Sequence, residues 1–195
     1  MKVLLALVAV LLLAAPATLV APTVPLAPGV TKPATNRIDA LPGYDTLEEA
    51  GVQGIARAYR CSHVYECGGP IALRLSDGKF VVGPVESSHA GDHVYIDYDL
   101  PDGLKLVADY HTHPCNPVGY IPEVFSPADI AGDTSQRITG FMGDLCTGKV
   151  HEFTPGKDTP NDTYVPRAGI YSTQGRIIGS IAVDGKIQEP NTGMI

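Results

Sequence analysis

Apolar residues recur at a helical spacing in one early segment, TLEEAGVQGIARAYR at residues 46–60. Its apolar side chains can share one face of a helix, and Thr46 followed by Glu49 forms a capping-box pattern at its start. We therefore predict a helix from Thr46 to Arg60. Gly51 and Gly54 lie inside this helix and should weaken it, because glycine is a poor helix former.

After this helix the apolar positions alternate with polar ones, as they do in strands. IALRLSDGKFVVG predicts two strands joined by a turn at Asp77-Gly78, which is a strong hairpin signal. Further strands are predicted at HVYIDY, LKLVADYHTH, RITGFMGDL, KVHEF, AGIYST and RIIGSIAV. With a short second helix beginning at Ser126, the elements predict a single α+β domain over residues 44–195.

The N-terminal residues do not belong to this domain. MKVLLALVAVLLLAAPATLVA has one lysine, a short apolar run and then small residues, which is typical of a secretory signal peptide over residues 1–21. An uncleaved membrane anchor is the alternative. Residues 22–43 are rich in proline and threonine and predict an extended linker. We expect a secreted or periplasmic protein that has no stable membrane association after signal removal.

The net charge of the chain argues against one class of partner, nucleic acid. The chain has 195 residues, a net charge of -7 at pH 7 and no run of lysine and arginine. Nucleic acid is not an expected partner, because binding it requires clustered cations that neutralise phosphates.

Four cysteines, Cys61, Cys67, Cys115 and Cys146, are typical of disulfides in an exported chain, and three pairings are open. The sequence has no Cys-x-x-Cys spacing, which argues against a thiolate zinc site. We expect Cys61–Cys67, which closes a short loop. We also expect Cys115–Cys146, which would tie the loop after His113 to a later hairpin.

Two histidines stand one residue apart on a predicted strand, in YHTHP at residues 110–114. Side chains at positions i and i+2 of a strand point to the same face, so His111 and His113 can converge on one metal ion. Pro114 favours an extended backbone at His113, and neutral imidazole suits zinc. From this pair alone, a polar strand edge is an equally good interpretation.

SPAD at residues 126–129 is a helix start by itself, with Ser126 at the N-cap, Pro127 at the first position and Asp129 at the third. The same start would hold the Asp129 carboxylate in the first turn, where it can be a third zinc ligand. The Ser126 hydroxyl would face the same space. Two histidines on a strand, then a loop, then an acid in a short helix favour the metal site over a chance cap.

A hydrolytic zinc site also needs a proton acceptor. Such sites keep three protein ligands and leave the fourth position to water, and a carboxylate that does not bind the metal usually takes the proton. Glu66, just ahead of the first predicted hairpin, is the best candidate for this general base. Glu86 and Glu123 are its competitors.

HTHP followed by SPAD, with an upstream glutamate after a helix, resembles the JAMM/MPN metalloprotease signature of Glu, His-x-His-Pro and Ser-x-x-Asp. The stretch VADYHTHP…FSPADI…ITGFMGDLCTGKVHEFTPG is similar to bacterial JAMM-like domains of the DUF4329 type. The resemblance covers roughly residues 47–156. It implies a mixed β-sheet flanked by helices, with a JAB1/MPN-like (cytidine-deaminase-like) core and zinc at the strand ends.

The resemblance also implies roles for individual residues. It assigns Zn²⁺ binding to three side chains, those of His111, His113 and Asp129. Ser126 would stabilise the developing oxyanion, and Glu66 would activate the water and later protonate the leaving amine. The loop at residues 114–126 is longer than in the best-known members. The chain has no tryptophan, and Phe125 takes the position of the aromatic residue often found before the serine. These departures keep every ligand but leave the substrate class open.

We therefore expect an exported zinc-dependent peptidase or isopeptidase that hydrolyses an amide bond of a protein or peptide by metal-activated water. A secreted effector and a cell-envelope amidase both fit this description. The alternative is a non-catalytic MPN-like module that binds a protein partner and holds a structural metal or none. Four other histidines have no ligand spacing and are expected at the surface: His63, His89, His93 and His151.

Overall fold

The computed structural model describes residues 41–115, 121–158, 163–165, 170–182 and 186–188. In chain order its elements are β1 (Gly43–Tyr44), α1 (Leu47–Tyr59), β2 (Cys67–Arg74), β3 (Phe80–Val82), β4 (Glu86–Ser87), β5 (Leu104–His113), α2 (Pro127–Gln136), β6 (Thr139–Asp144), β7 (Lys149–Phe153), β8 (Thr163–Val165), β9 (Ile170–Ser172), β10 (Arg176–Ile181) and β11 (Ile187–Gln188). They all lie in the compact unit Ala34–Ile195. The predicted signal peptide and most of the predicted linker lie outside the described residues.

Most of the described strands form one mixed sheet, in the order β1–β3–β2–β5–β6–β7–β10–β11, with β4 paired to β2. β5 is antiparallel to β2 and parallel to β6. A parallel pair needs a crossover connection, and α2 lies in the connection between these two strands. The predicted mixed sheet with two helices is confirmed, and β5 lies near its centre.

The first helix packs closely against the face of the sheet that carries Tyr110 and Phe141. A Cβ atom added at Gly51 would lie 2.5 Å from the Phe141 ring, and one added at Gly54 would lie 2.7 Å from the Tyr110 ring. Thr46 caps the helix, since its hydroxyl accepts a backbone N–H of the first turn at 3.1 Å. The predicted helix is confirmed, and its two glycines allow this close approach.

The second helix lies on the opposite face. Its Ile130 packs in a buried cluster with Phe125, Met142 and Phe153. Met142 follows Phe141 in β6, and successive side chains of a strand point to opposite faces. The predicted capping box at the start of α2 is present, with Ser126 as N-cap. Among the described residues, no helix is both long and apolar enough to cross a membrane.

The prediction of a strand at HVYIDY, residues 93–98, is wrong. Side chains there do alternate between exposed and partly buried positions. Two of the backbone amides, however, bond to side chains, and no described residue pairs with this segment as a strand. Tyr95 N donates to Ser88 Oγ at 2.9 Å, and Asp97 N donates to Glu86 Oε2 at 3.1 Å. The alternation identified an extended backbone, but the strand partner that it implied is absent.

The other predicted strands are present, and the hairpin turn is at Gly78, which has a φ of 71°. The sheet also includes residues on the linker side of the predicted boundary. Gly43 pairs with Val81, and Leu41 packs beside Ala72.

One of the two predicted disulfides is formed. Cys61 and Cys67 are bonded, which confirms that pairing. Cys115 and Cys146 are free and exposed, so the second predicted pairing is not observed. These two thiols are nevertheless neighbours, because they follow the ends of the adjacent strands β5 and β6. Desolvation and the neighbouring Cys115 thiol raise the pKa of Cys146 to about 12.

Candidate metal centre

The end of β5 presents two buried imidazoles on one face of the sheet. His111 is 5% exposed and His113 is 1% exposed. Between them, Thr112 bonds to the backbone of Cys67 in β2. Hydrogen bonding of β5 to β2 on one side and to β6 on the other fixes its backbone. The i and i+2 spacing therefore places both rings side by side, as predicted, with ring centroids 5.0 Å apart.

Three ligand atoms form a nearly equilateral triangle. The Nε2 atoms of His111 and His113 are 3.1 Å apart. Asp129 Oδ2 lies 3.6 Å from the first and 3.4 Å from the second. A tetrahedral ion with bonds of about 2.0–2.1 Å holds its ligand atoms about 3.4 Å apart. These three residues could therefore hold a divalent metal ion without rearrangement.

Hydrogen bonds orient two of the three ligands. His113 Nδ1 lies 3.2 Å from the Pro122 carbonyl oxygen, to which it donates, so Nε2 is the ring nitrogen that can bind a metal. Asp129 Oδ2 accepts the Ser126 backbone N–H at 2.6 Å, and Ser126 Oγ accepts the Asp129 N–H at 3.2 Å. Such outer partners are a regular feature of metal sites, since they fix ring tautomers and carboxylate orientation.

The charges of these groups are strongly coupled. Burial acts to lower the pKa of His111, but the Asp129 carboxylate opposes it and raises this pKa to about 10. Burial acts to raise the pKa of Asp129, but His111 and His113 hold it well below its usual range. These opposing shifts favour an ion pair between Asp129 and protonated His111. A bound cation would take the place of the extra proton on His111.

Glu66 lies next to this triangle, immediately before β2. Its side chain is buried, and its Oε1 is 4.0 Å from His113 Nε2. It does not belong to the group of three close ligand atoms, so it would lie beside a metal ion held by that group rather than bind it. The competing Glu86 accepts the Asp97 N–H instead. Neither Glu86 nor Glu123 lines the cleft that contains Glu66.

This cleft has a volume of about 210 Å³ and is open to solvent at one side. Ser126, Glu66, His111 and Asp129 all line it. The Ser126 hydroxyl oxygen is engaged as a helix cap, which leaves its O–H as a donor. The cleft thus brings two of the three predicted metal ligands together with the predicted general base and hydroxyl.

The cleft is also lined by two acidic residues that the sequence analysis had not indicated as site residues. Asp109 and Asp133 are both buried, and Tyr98 donates its hydroxyl to Asp109 Oδ2 at 2.5 Å. Burial and the neighbouring Asp109 raise the pKa of Asp133 to about 9, and burial also raises the pKa of Asp109. The spacing of these two acids from the predicted ligands could have indicated them. Asp109 is two residues before His111 on a strand, and Asp133 is four residues after Asp129 on a helix.

The expectation for the other histidines holds for His63, His89 and His93, which are exposed. His151 is 0% exposed, so its assignment to the surface is wrong. It faces the interior from β7, and its Nδ1 bonds to the Gln174 carbonyl oxygen at 2.9 Å. Burial lowers the pKa of His151, which favours the neutral ring.

No family model, no curated protein and no solved structure matches this chain. The functional assignment therefore depends on the residues and geometry of the site itself.

Proposed function

We propose that the chain is an exported zinc-dependent peptidase or isopeptidase with a JAB1/MPN-like core. One observation carries the proposal. His111, His113 and Asp129 offer three ligand atoms 3.1–3.6 Å apart, and the buried Glu66 carboxylate lies 4.0 Å from one of them in the same cleft. These residues and Ser126 occupy every position of the motif that the sequence resembles.

Zinc is the proposed metal because two imidazoles and one carboxylate are a common ligand set of catalytic zinc sites, which leave the fourth position open. Bound there, zinc would act as a Lewis acid that polarises a carbonyl and lowers the pKa of water.

The chain's own residues carry the proton transfers of amide hydrolysis. Glu66 accepts a proton from the water that adds to the carbonyl carbon. It returns this proton to the nitrogen as the C–N bond breaks, so that an acid and an amine result. Ser126 donates its hydroxyl hydrogen to the oxyanion that develops on the former carbonyl oxygen. Burial of Glu66 keeps bulk water from competing for the proton.

Other features support the proposed compartment and substrate. The Cys61–Cys67 disulfide supports an oxidising environment, and so a secreted or periplasmic location. Val64 lies two residues before Glu66 and is 69% exposed. Tyr95 follows the cleft residue Val94 and is 77% exposed. Exposed apolar side chains near a cleft favour a protein or peptide substrate. A net charge of -7 speaks against nucleic acid.

The proposal is tested by metal content and peptide hydrolysis together. We expect about one zinc per chain in the wild type and none in a His111→Ala/His113→Ala variant. Glu66→Gln should keep the zinc and lose turnover, whereas Glu123→Gln, a matched change outside the cleft, should keep both. A Glu66→Gln variant with full activity would remove Glu66 from the mechanism. Bound zinc without hydrolysis of any peptide or isopeptide would favour the non-catalytic binding module.

A further inference from the structure

Two buried acids at the wall of the cleft each have an oxygen atom without a hydrogen-bond partner. Asp109 is 6% exposed and Asp133 is 3% exposed. Asp109 Oδ1 and Asp133 Oδ2 have no hydrogen-bond partner, and both residues line the cleft. Because an unsatisfied buried polar atom costs free energy, such atoms usually indicate a missing ligand, water or proton.

The cleft remains acidic even if a metal is bound. A divalent cation at the triangle would be balanced by Asp129 and Glu66. Asp92, Asp109 and Asp133 would then be left over, and no lysine or arginine is among the described residues that line the cleft. Burial raises the pKa of Asp109 and of Asp133, so both favour the protonated form until a cation lies beside them, and a bound cation would displace the proton. Asp92 lies at the exposed rim, where it pairs with His93 at 2.8 Å. For Asp109 and Asp133, the only basic side chains among the described residues that line the cleft are His93 and His111.

The remaining walls are apolar, and the cleft is small. Val94, Ile96 and Ala128 contribute aliphatic surface between the rim and the two buried acids. A volume of about 210 Å³ is below the range of about 300–1,000 Å³ usual for pockets that hold drug-sized ligands. The cleft is therefore suited to a single extended side chain with an apolar stem.

We infer that this cleft is a specificity pocket for a cationic substrate side chain, an ammonium or guanidinium group on an aliphatic stem, next to the hydrolysed amide. The aliphatic stem packs between Val94 and Ile96, and the cation donates to the Asp109 and Asp133 carboxylates. The position of the amide rests on the proposed function, but binding of the cation does not require hydrolysis.

A structural explanation competes with this inference. The two acids could share a proton and satisfy each other within the fold, as coupled carboxyl groups do elsewhere. In that case the cleft would not distinguish a cation from a neutral group of the same shape.

Binding of n-butylammonium to the zinc-loaded full chain, followed by NMR, separates the two explanations. We expect saturable shifts of cleft residues with n-butylammonium and not with n-butanol. Asp133→Asn, which keeps the side-chain shape, should weaken binding about tenfold or more, because the amide oxygen still accepts a hydrogen bond but can carry no negative charge. Asp92→Asn at the exposed rim should weaken it about twofold. Asp102→Asn, the same charge change in a distant turn, should have no effect.

Equal binding of the alcohol and the ammonium, no binding of either, or unchanged binding in both cleft variants would overturn the inference. If Asp133→Asn loses its fold, as judged by zinc content and thermal unfolding, the Asp92→Asn result and the alcohol comparison still decide.

Hydrolysis of quenched peptides tests the same pocket separately from the proposed function. The peptides differ at one position near the scissile bond, which holds lysine, arginine, norleucine or glutamate. Cleavage that prefers lysine or arginine about tenfold over norleucine, with the preference lost in Asp133→Asn, supports the inference. Cleavage without this preference refutes the pocket and leaves the proposed function standing. Ammonium binding without any cleavage refutes the proposed function and leaves the pocket standing.

Discussion

Zinc binding to the metal-free protein should release a proton from His111, and its affinity should therefore rise with pH. The Asp129 carboxylate holds the pKa of His111 at about 10 despite the burial of the ring. A metal ligand must be neutral imidazole, so zinc has to displace the extra proton. Asp129 is already ionised, since its pKa lies well below the usual range, and contributes no proton.

The size of the effect follows from this pKa. With a pKa of about 10, His111 should carry the extra proton in almost every zinc-free molecule between pH 6.5 and pH 8.5. Each pH unit then changes the apparent zinc affinity about tenfold, or about 1.4 kcal/mol, and two units change it about 100-fold. The direction is fixed by the sign of the shift. Because the pKa is raised, protonation opposes zinc throughout this range, and the opposition weakens as pH approaches the pKa.

Competition with a chromophoric chelator of known affinity measures the zinc affinity at each pH. Calorimetry in two buffers of different ionisation enthalpy counts the protons released, and we expect about one per zinc. Asp129→Asn is the informative variant, because it keeps an acceptor for the Ser126 N–H but removes the charge beside His111. Its zinc affinity should be lower at every pH, and the pH dependence should flatten at the upper end of the range.

A zinc affinity that does not change between pH 6.5 and pH 8.5 would refute this account. It would show that His111 is already neutral in the metal-free protein, and that the ion pair with Asp129 does not form. Release of a proton by Asp129→Asn equal to that of the wild type would show that another group supplies it.

Packing and thiol chemistry give the remaining predictions. Gly54→Ala should destabilise the fold by about 1–3 kcal/mol, because the added Cβ would lie 2.7 Å from the Tyr110 ring. Gly132→Ala, the matched change where nothing lies within 4 Å, should stabilise it by about 0.5–1 kcal/mol; urea unfolding measures both, and two effects of the same sign would contradict the close packing. Without reductant, Cys115 and Cys146 should both react with a thiol reagent, Cys146 slowly because its pKa is raised to about 12. No reactive thiol would mean that a second disulfide forms.

Local rules predicted the arrangement of the candidate metal ligands. The period of two in β5 placed His111 and His113 on one face, and the capping-box pattern placed Asp129 in the first turn of α2. Both rules depend only on residues a few positions apart, so the sequence alone could express them. That the three residues meet depends on the crossover through α2, which returns the chain beside β5.

The position of Glu66 could not be predicted in the same way. Its approach to His113 depends on the register of β2 against β5, in which Gly68 lies opposite His111. That register is set by contacts between strands distant in sequence, and local patterns do not report it. Glu86 and Glu123 therefore stayed open as alternatives until the strand pairing was known.

The buried acids were missed for a different reason. The period of two in a strand places Asp109 on the same face as His111, and the helical repeat places Asp133 on the same face as Asp129. Local rules therefore could have indicated both acids. Their burial was not visible, because it depends on the extended segment at residues 93–98, whose Tyr98 bonds to Asp109. This segment was predicted to be a strand of the sheet, and that prediction gave no indication that its residues line a cleft.

Asp129 couples the helix start to the metal site through a single atom. Its Oδ2 accepts the Ser126 N–H at 2.6 Å and lies 3.4 Å from His113 Nε2. The cap needs this carboxylate orientation whether or not a metal is present, and protonated His111 balances its charge until a metal arrives. The helix cap and the candidate metal site therefore require the same orientation of the Asp129 carboxylate. A cap that fixes this orientation reduces the free energy needed to order the ligand, which is the general advantage of a preorganised site.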